Sequence, residues 1–356
     1  MVSLNSIVPE YSSDLLNLIR GLPVRGIIGP MEVPVRSVVE DSRIARADSA
    51  FFVLPGERSH GSQFAEQAIE AGARVLFTGT PLPLYAPITQ VRLSNLDSMR
   101  HIIPARFYGK PDEELTFAGV IGSHQRAGVA LLAHYLLDNW NEPTGLIHSG
   151  HYDFGNRLEP VSLATPEPCE LYRILRGMAD AGRHNVVMEI STQGLLRRRV
   201  QTLGMHVLAF TDHYFDPVHR EEWAVVLPLK LDAFLSGWDK GCPDIAVINR
   251  HENQAGQLLA RLPHQVDTVT YGIDVAADLR AENLRRTPLG WQFDLSWEFG
   301  RVKTRLAVPG GRERVLEALG ALAIAYAFDR DLCEMAWRLA DWRESCPSDT
   351  VQAWLM

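Results

Sequence analysis

Four cysteines in 356 residues, Cys169, Cys242, Cys333 and Cys346, are too few and too irregularly spaced for a disulfide framework or a zinc cluster. Basic residues are not in excess either. With 35 Lys and Arg against 43 Asp and Glu, the formal net charge is -8, which leaves no electrostatic footprint for nucleic acid. No apolar run is long enough to span a bilayer, and the amino terminus, Met-Val-Ser-Leu-Asn-Ser, lacks the basic start and apolar core of a secretory signal. There is no internal repeat and no low-complexity tract. The expectation is a folded cytoplasmic protein with no membrane and no nucleic acid partner, and 46% apolar residues allow two domains, each with its own core.

One further absence is local. Leu115-Thr-Phe-Ala-Gly-Val-Ile121 reads as a buried parallel strand and Val129-Ala-Leu-Leu-Ala-His-Tyr-Leu-Leu137 as an apolar helix, so Gly119-Val-Ile-Gly-Ser-His-Gln-Arg-Ala-Gly128 stands at a strand-to-helix turn. A phosphate-binding loop at such a turn needs glycines for close backbone approach, a lysine on the terminal phosphates and a hydroxyl for magnesium. Here Arg126 takes the lysine position, and Ala127 and Gly128 stand where Thr or Ser belongs.

What is present is an alternating pattern. Residues up to about 110 read as a small α/β unit with the Phe51-Phe-Val-Leu54 strand, the Pro81 to Pro87 turn region and a helix through Met99-Arg-His-Ile-Ile103. Further on, Val186-Val-Met-Glu-Ile190, Val207-Leu-Ala-Phe-Thr211 and Ile245-Ala-Val-Ile-Asn249 alternate with helices such as Cys169 to Met178, the mark of a mostly parallel sheet. Asp278 to Val308 changes to period-two alternation and reads as an antiparallel meander, closed by helices at Glu313 to Phe328 and Asp331 to Trp342. The fold class is α/β: a small α/β amino-terminal domain, then a P-loop-type central domain with a mostly parallel sheet and a small antiparallel meander.

Ordered motifs resemble one family along nearly the whole chain. The loop is similar to G-V-T-G-T-N-G-K-T-T of the Mur ligases, especially the type that adds the third amino acid to UDP-N-acetylmuramoyl-dipeptide. It keeps Gly119, Val120 and Gly122, has Ser123 for Thr, and replaces the rest with His124 to Gly128. Upstream, Asp41-Ser-Arg43, Ala50 to Gly56, His60-Gly61 and Phe107-Tyr-Gly-Lys-Pro111 resemble the amino-terminal domain and its boundary. Downstream, Ala164-Thr-Pro166, Met188-Glu-Ile-Ser-Thr-Gln193 and Arg199-Val200 resemble T-T-P, M-E-V-S-S-H and the substrate-binding R-V. The domains implied are 1-112, uridine-nucleotide-binding-like, and 113-345, ATPase-like, with 346-356 as a tail where the family continues into a third domain.

The resemblance implies site residues one by one. Ser42 and Arg43 fall at the uridine-contacting motif, Thr165 and Ser191 at hydroxyls near the sugar-peptide phosphate, and Arg199 at a substrate arginine. Glu189 matches a magnesium ligand and Lys230 the lysine that the family carbamylates; both are expected as vestigial catalytic positions. Gly119, Gly122, Ser123 and Arg126 make up the degenerate nucleotide loop. Glu313, Arg314 and Glu317 replace the family's adenine-holding Phe, Asn and Asn, and Asn249-Arg-His-Glu252 replaces N-x-D-D. The expectation is therefore weak or absent binding of ATP and magnesium, with no cofactor and no metal site assigned.

The Asp212 to His219 segment has metal-ligand residue types at close spacing but reads as a degenerate loop ahead of a metal site, and His148 and His151 read as solvated or structural histidines. Arg197-Arg-Arg199 is either a phosphate clamp, as the resemblance at Arg199 suggests, or a solvated charge run. Two functions follow. One is a non-catalytic homologue that binds a UDP-sugar or peptide-like ligand, or serves as partner subunit of an intact Mur-type ligase or as a homo-oligomer. The other is an ATP-dependent amide ligase completed by a domain from another chain.

Overall fold

The structure is a computed structural model that describes residues 11–54, 62–83, 87–122, 125–211, 238–251 and 255–343. Ser123, His124, Lys230, the Asp212 to His219 segment, Glu252 and the 346–356 tail lie outside the described residues. The chain divides into two compact units, Met1–Glu114 with Glu167–Asp180, and Leu115–Pro166 with Ala181–Met356.

Among the described residues, the main sheet of the first unit has five strands: Val24–Ile28 (β1), Ser37–Val39 (β2), Ser49–Phe52 (β3), Val75–Thr78 (β4) and Thr89–Leu93 (β5). Their order is β1-β5-β4-β3-β2, and every pair except β1 with β5 is parallel. Helix Ser62–Glu70 (α1) buries Ala65 and Ala68 against Phe51 and Leu76, its small residues letting it lie close to the sheet. Helix Leu96–Phe107 (α2) starts at Asn95, whose side chain accepts from Ser98 N, an N-cap that satisfies a free amide. It ends through Gly109 (φ +71°) and Lys110 (φ +56°) just before Pro111, so the boundary motif Phe107 to Pro111 is a helix stop built from left-handed residues and a proline.

The second unit carries an eleven-stranded sheet. Thr116–Ile121 (β6) leads to helix Arg126–Leu137 (α3), then Thr144–Ile147 (β7), Tyr152–Asp153 (β8) and Leu158–Glu159 (β9). The chain leaves for Pro168–Asp180 (α4), which belongs to the first unit, and returns as Asn185–Ile190 (β10), Thr192–Leu196 (α5), Met205–Phe210 (β11), Ile245–Asn249 (β12) and Asp267–Ile273 (β13). Leu279–Thr287 (β14), Gly290–Trp297 (β15) and Gly300–Leu306 (β16) follow, then helices Arg312–Ala327 (α6) and Leu332–Asp341 (α7).

The strand order is β9-β8-β7-β10-β6-β11-β12-β13-β14-β15-β16. Pairs from β7 across to β14 are parallel, and β14, β15 and β16 form the antiparallel meander. The apolar runs of β6, β10, β11 and β12 are buried because helices cover a parallel sheet on its faces. Alanine-rich α6 is almost wholly buried and packs on α3, a close approach that small side chains permit.

Within the first unit, α4 is tied down by a buried polar cluster. Glu40 at the end of β2 accepts from Cys169 N at 3.0 Å and lies 3.5 Å from Arg100, which also holds Glu167 at 2.7 Å. Burial pushes the Glu40 carboxyl upward, with Arg100 opposing, and pushes the Cys169 thiol well above its usual value.

Candidate functional site

Three parallel neighbours, β7, β10 and β6, bring their carboxyl ends to one edge of the sheet, where open α/β folds collect ligands. Register sets who meets whom: Glu189 on β10 pairs with Val120 on β6, one residue before the strand ends at Ile121. The Glu189 side chain is 1% exposed. Its Oε1 lies 2.8 Å from Arg126 Nε, and its Oε2 accepts from Ser149 N at 2.9 Å. Arg126, in the first turn of α3, also donates from Nη1 to Gly122 O at 2.7 Å. The arginine at the lysine position thus turns back onto its own loop and onto the carboxylate of the next strand.

His148 at the end of β7 stands 4.0 Å from the same carboxylate, and its Nδ1 accepts from Gly150 N. Burial lowers its pKa, Glu189 raises it and His151 lowers it; His134 and His151 are also lowered by burial. The His148 side chain is 14% exposed, which agrees with a structural histidine beside Glu189.

A second network continues from the Glu189 backbone. Thr165 is fully buried; its Oγ1 accepts from Ser191 N at 2.8 Å and lies 3.2 Å from both Glu189 O and Ser191 Oγ. Ser191 caps α5, its Oγ accepting from Gly194 N at 3.0 Å. Arg199 is 6% exposed and donates from Nη1 to Thr165 O at 3.1 Å. Glu189, Arg126, Thr165, Ser191 and Arg199 therefore form one connected group in the second unit. Arg197 and Arg198 are exposed, whereas Arg199 is buried.

Three further assigned residues, Gly119, Ser42 and Arg43, lie apart from this group. Gly119 lies inside β6, where a side chain would come within 2.7 Å of Ile190 Cδ1 and Leu208 Cδ1, so its smallness serves strand packing. In the first unit, Ser42 is 4% exposed and donates to Gln67 Oε1 at 2.6 Å. Arg43 is exposed and folds back on Asp41 at 2.6 Å, which holds the Asp41 carboxyl below its usual range. The Ser149 amide and Gln67 carry no sequence signal; only the sheet register and the α1 packing bring them in.

A mostly parallel sheet in which β6 is followed by α3, preceded along the chain by a smaller α/β unit, defines a class of two-unit α/β proteins. The comparisons narrow it. The Mur ligase middle domain matches residues 129–325, and the Mur ligase family catalytic domain matches residues 34–99. The chain belongs to the Mur ligase family. It is 30% identical over 333 residues to the UDP-N-acetylmuramoyl-L-alanyl-D-glutamate--2,6-diaminopimelate ligase of Geobacillus kaustophilus, covering 92% of this chain and 67% of that protein. Its identity to the ligase of the same name from Chlamydia caviae is also 30%, over 88% of this chain and 63% of that one. The chain thus spans just under two thirds of the Chlamydia protein's length.

A solved structure of a ligase of that name superposes with a TM-score of 0.75 at 17% identity, covering 94% of this chain and 68% of the other. MurF from Acinetobacter baumannii superposes with a TM-score of 0.70 at 18% identity, covering 95% of this chain and 70% of the other. These two likenesses speak to fold. Among the described residues, no helix is long and apolar enough to cross a membrane.

Proposed function

We propose that this chain is a non-catalytic Mur ligase homologue that has given up ATP chemistry and keeps a cytoplasmic site for a UDP-sugar or peptide-like ligand. The observation that carries the reading is the Arg126–Glu189 ion pair at 2.8 Å. In the resemblance this carboxylate holds magnesium; here a guanidinium borne by the chain itself neutralises it. Magnesium demands near-octahedral oxygen ligands at about 2.1 Å and keeps several waters. A forked, permanently charged arginine beside a buried carboxylate supports neither that shell nor a lysine's point contact with phosphate. ATP and magnesium do not fit these residues, and no reaction step is assigned through them.

The hydroxyl and arginine group fares differently. Thr165 holds Ser191 and Arg199 in place, and a hydroxyl and a guanidinium fixed in this way suit a charged phosphate ester, each charged hydrogen bond contributing about 1.5–3 kcal/mol. Relatives named for a UDP-N-acetylmuramoyl dipeptide substrate support that ligand class.

Purified protein, with and without a UDP-muramoyl peptide, is expected to release phosphate from ATP no faster than a no-protein control; release above it refutes the reading. UDP-N-acetyl sugars at millimolar concentration are expected to raise the melting temperature, and Arg199→Lys to remove most of that rise. If uridine nucleotides leave the melting temperature unmoved while ATP stays inert, the binding reading falls. The partner-subunit reading then takes its place, tested by mixing the chain with an intact Mur-type ligase in size-exclusion chromatography.

A further inference from the structure

Gly128 and Glu317 are distant in sequence and meet in the fold. Gly128 lies in the first turn of α3, facing α6. A methyl group on it would stand 2.6 Å from both Cδ and Oε2 of Glu317 and 2.9 Å from Oε1. A carboxylate at the end of an exposed side chain would swing aside. Glu317 is 7% exposed, and Arg314 Nη1 holds its Oε2 at 2.9 Å, so moving it means giving up that partner inside a packed helix pair. Both positions depart from the family pattern, Gly128 standing for a threonine and Glu317 for an asparagine. A threonine at 128 and a glutamate at 317 would claim the same space.

We infer that Gly128 and Glu317 are a single coupled replacement in which the Glu317 carboxylate occupies the space of the lost phosphate-loop side chain and closes the site to nucleotide. The first turn of a helix attracts anions, and here that turn has a carboxylate of the chain packed against it. With the Arg126–Glu189 pair, the site carries its own anion and its own cation. The inference deepens the reading that nucleotide no longer binds. Its first test contains no nucleotide, so the two can fail separately.

That test is thermal unfolding of Gly128→Ala, Glu317→Asn and the double variant. Gly128→Ala is expected to lower the melting temperature by about 3–8 °C in the wild-type background. In the Glu317→Asn background the same alanine is expected to cost less than half as much. Gly320→Ala, one turn along α6 and facing Tyr271 and Val129 instead, is the control whose cost Glu317→Asn leaves unchanged. Soluble double variant where Gly128→Ala alone does not fold supports the coupling. Equal cost in both backgrounds, no cost in wild type, or failure of both to fold overturns it.

A second arm tests closure with a fluorescent ATP analogue. The variant carrying Arg126→Lys, Ala127→Thr, Gly128→Thr and Glu317→Asn is expected to bind it at least about tenfold more tightly than the variant lacking Glu317→Asn. The same affinity in both, or none in either, removes the closing role from Glu317.

Discussion

Replacing Arg126 with methionine keeps the aliphatic stem and removes the charge, leaving the Glu189 carboxylate, 1% exposed, without its cation. Breaking a buried pair from one side costs about 3–5 kcal/mol, because the remaining charge cannot reach water. Arg126 is 22% exposed, and Glu189 keeps the Ser149 amide, so the lower end applies, about 3 kcal/mol. For a unit of this size that lowers the melting temperature by about 6–12 °C. The reverse variant behaves differently. Glu189→Gln keeps an acceptor for Ser149 N and leaves a guanidinium that solvent can reach, so its cost is about 1 kcal/mol. The double variant Arg126→Met, Glu189→Gln is expected near Glu189→Gln alone. Urea and thermal unfolding of the three proteins provide the assay. Arg126→Met within about 0.5 kcal/mol of wild type would mean that the pair is a solvated contact and that Arg126 does not serve Glu189 as an internal cation.

Thr165→Val deprives the Ser191 amide of its buried acceptor and is expected to cost about 1–3 kcal/mol in urea unfolding, whereas Thr165→Ser costs less; equal effects would contradict the network. Ser42→Ala, which strands Gln67 Oε1, is expected to cost about 1 kcal/mol, read by thermal unfolding. Acidification separates the two units. His134, His148 and His151 are depressed by burial, so their stabilising effect on the second unit is present above their unfolded value near pH 6.5 and lost as pH falls below it. Glu40 in the first unit is raised by burial, so its effect is fully present below its unfolded value near pH 4.5 and lost as pH rises through the folded one. Hydrogen exchange at pH 7 and pH 5 is expected to show protection falling in β7 and α3 but not in α4. A uniform change across both units would refute the assignment.

Much of the fold was legible because parallel strands are apolar runs of fixed length. Ile245 to Asn249 is a strand over the bounds its sequence suggests, and the meander shows where period-two alternation begins. The sequence also marks the altered loop, since lysine and threonine are absent by inspection. What it cannot carry is partnership across the sheet. Arg126 meets Glu189 because β6 and β10 are neighbours in a particular register, and Gly128 meets Glu317 because α3 and α6 share a face. Each residue reads separately as a lost function; in the fold each answers another. Ser42 shows the same limit: its motif gives no sign that Gln67, on a helix further along the chain, takes its hydroxyl.

Helix α4 leaves a lasting mark on how the chain is made. Synthesis runs in one direction, and the first unit lacks α4 until Asp180 has left the ribosome, long after its own sheet has been translated. Until then Glu40 has neither the Cys169 amide nor the shared arginine geometry that Glu167 completes, so a nascent first unit holds an unsettled carboxylate at the end of β2. The strand β6 and helix α3 emerge in the interval. A fragment cut at the apparent boundary near residue 114 would therefore be an unfinished fold rather than an independent module.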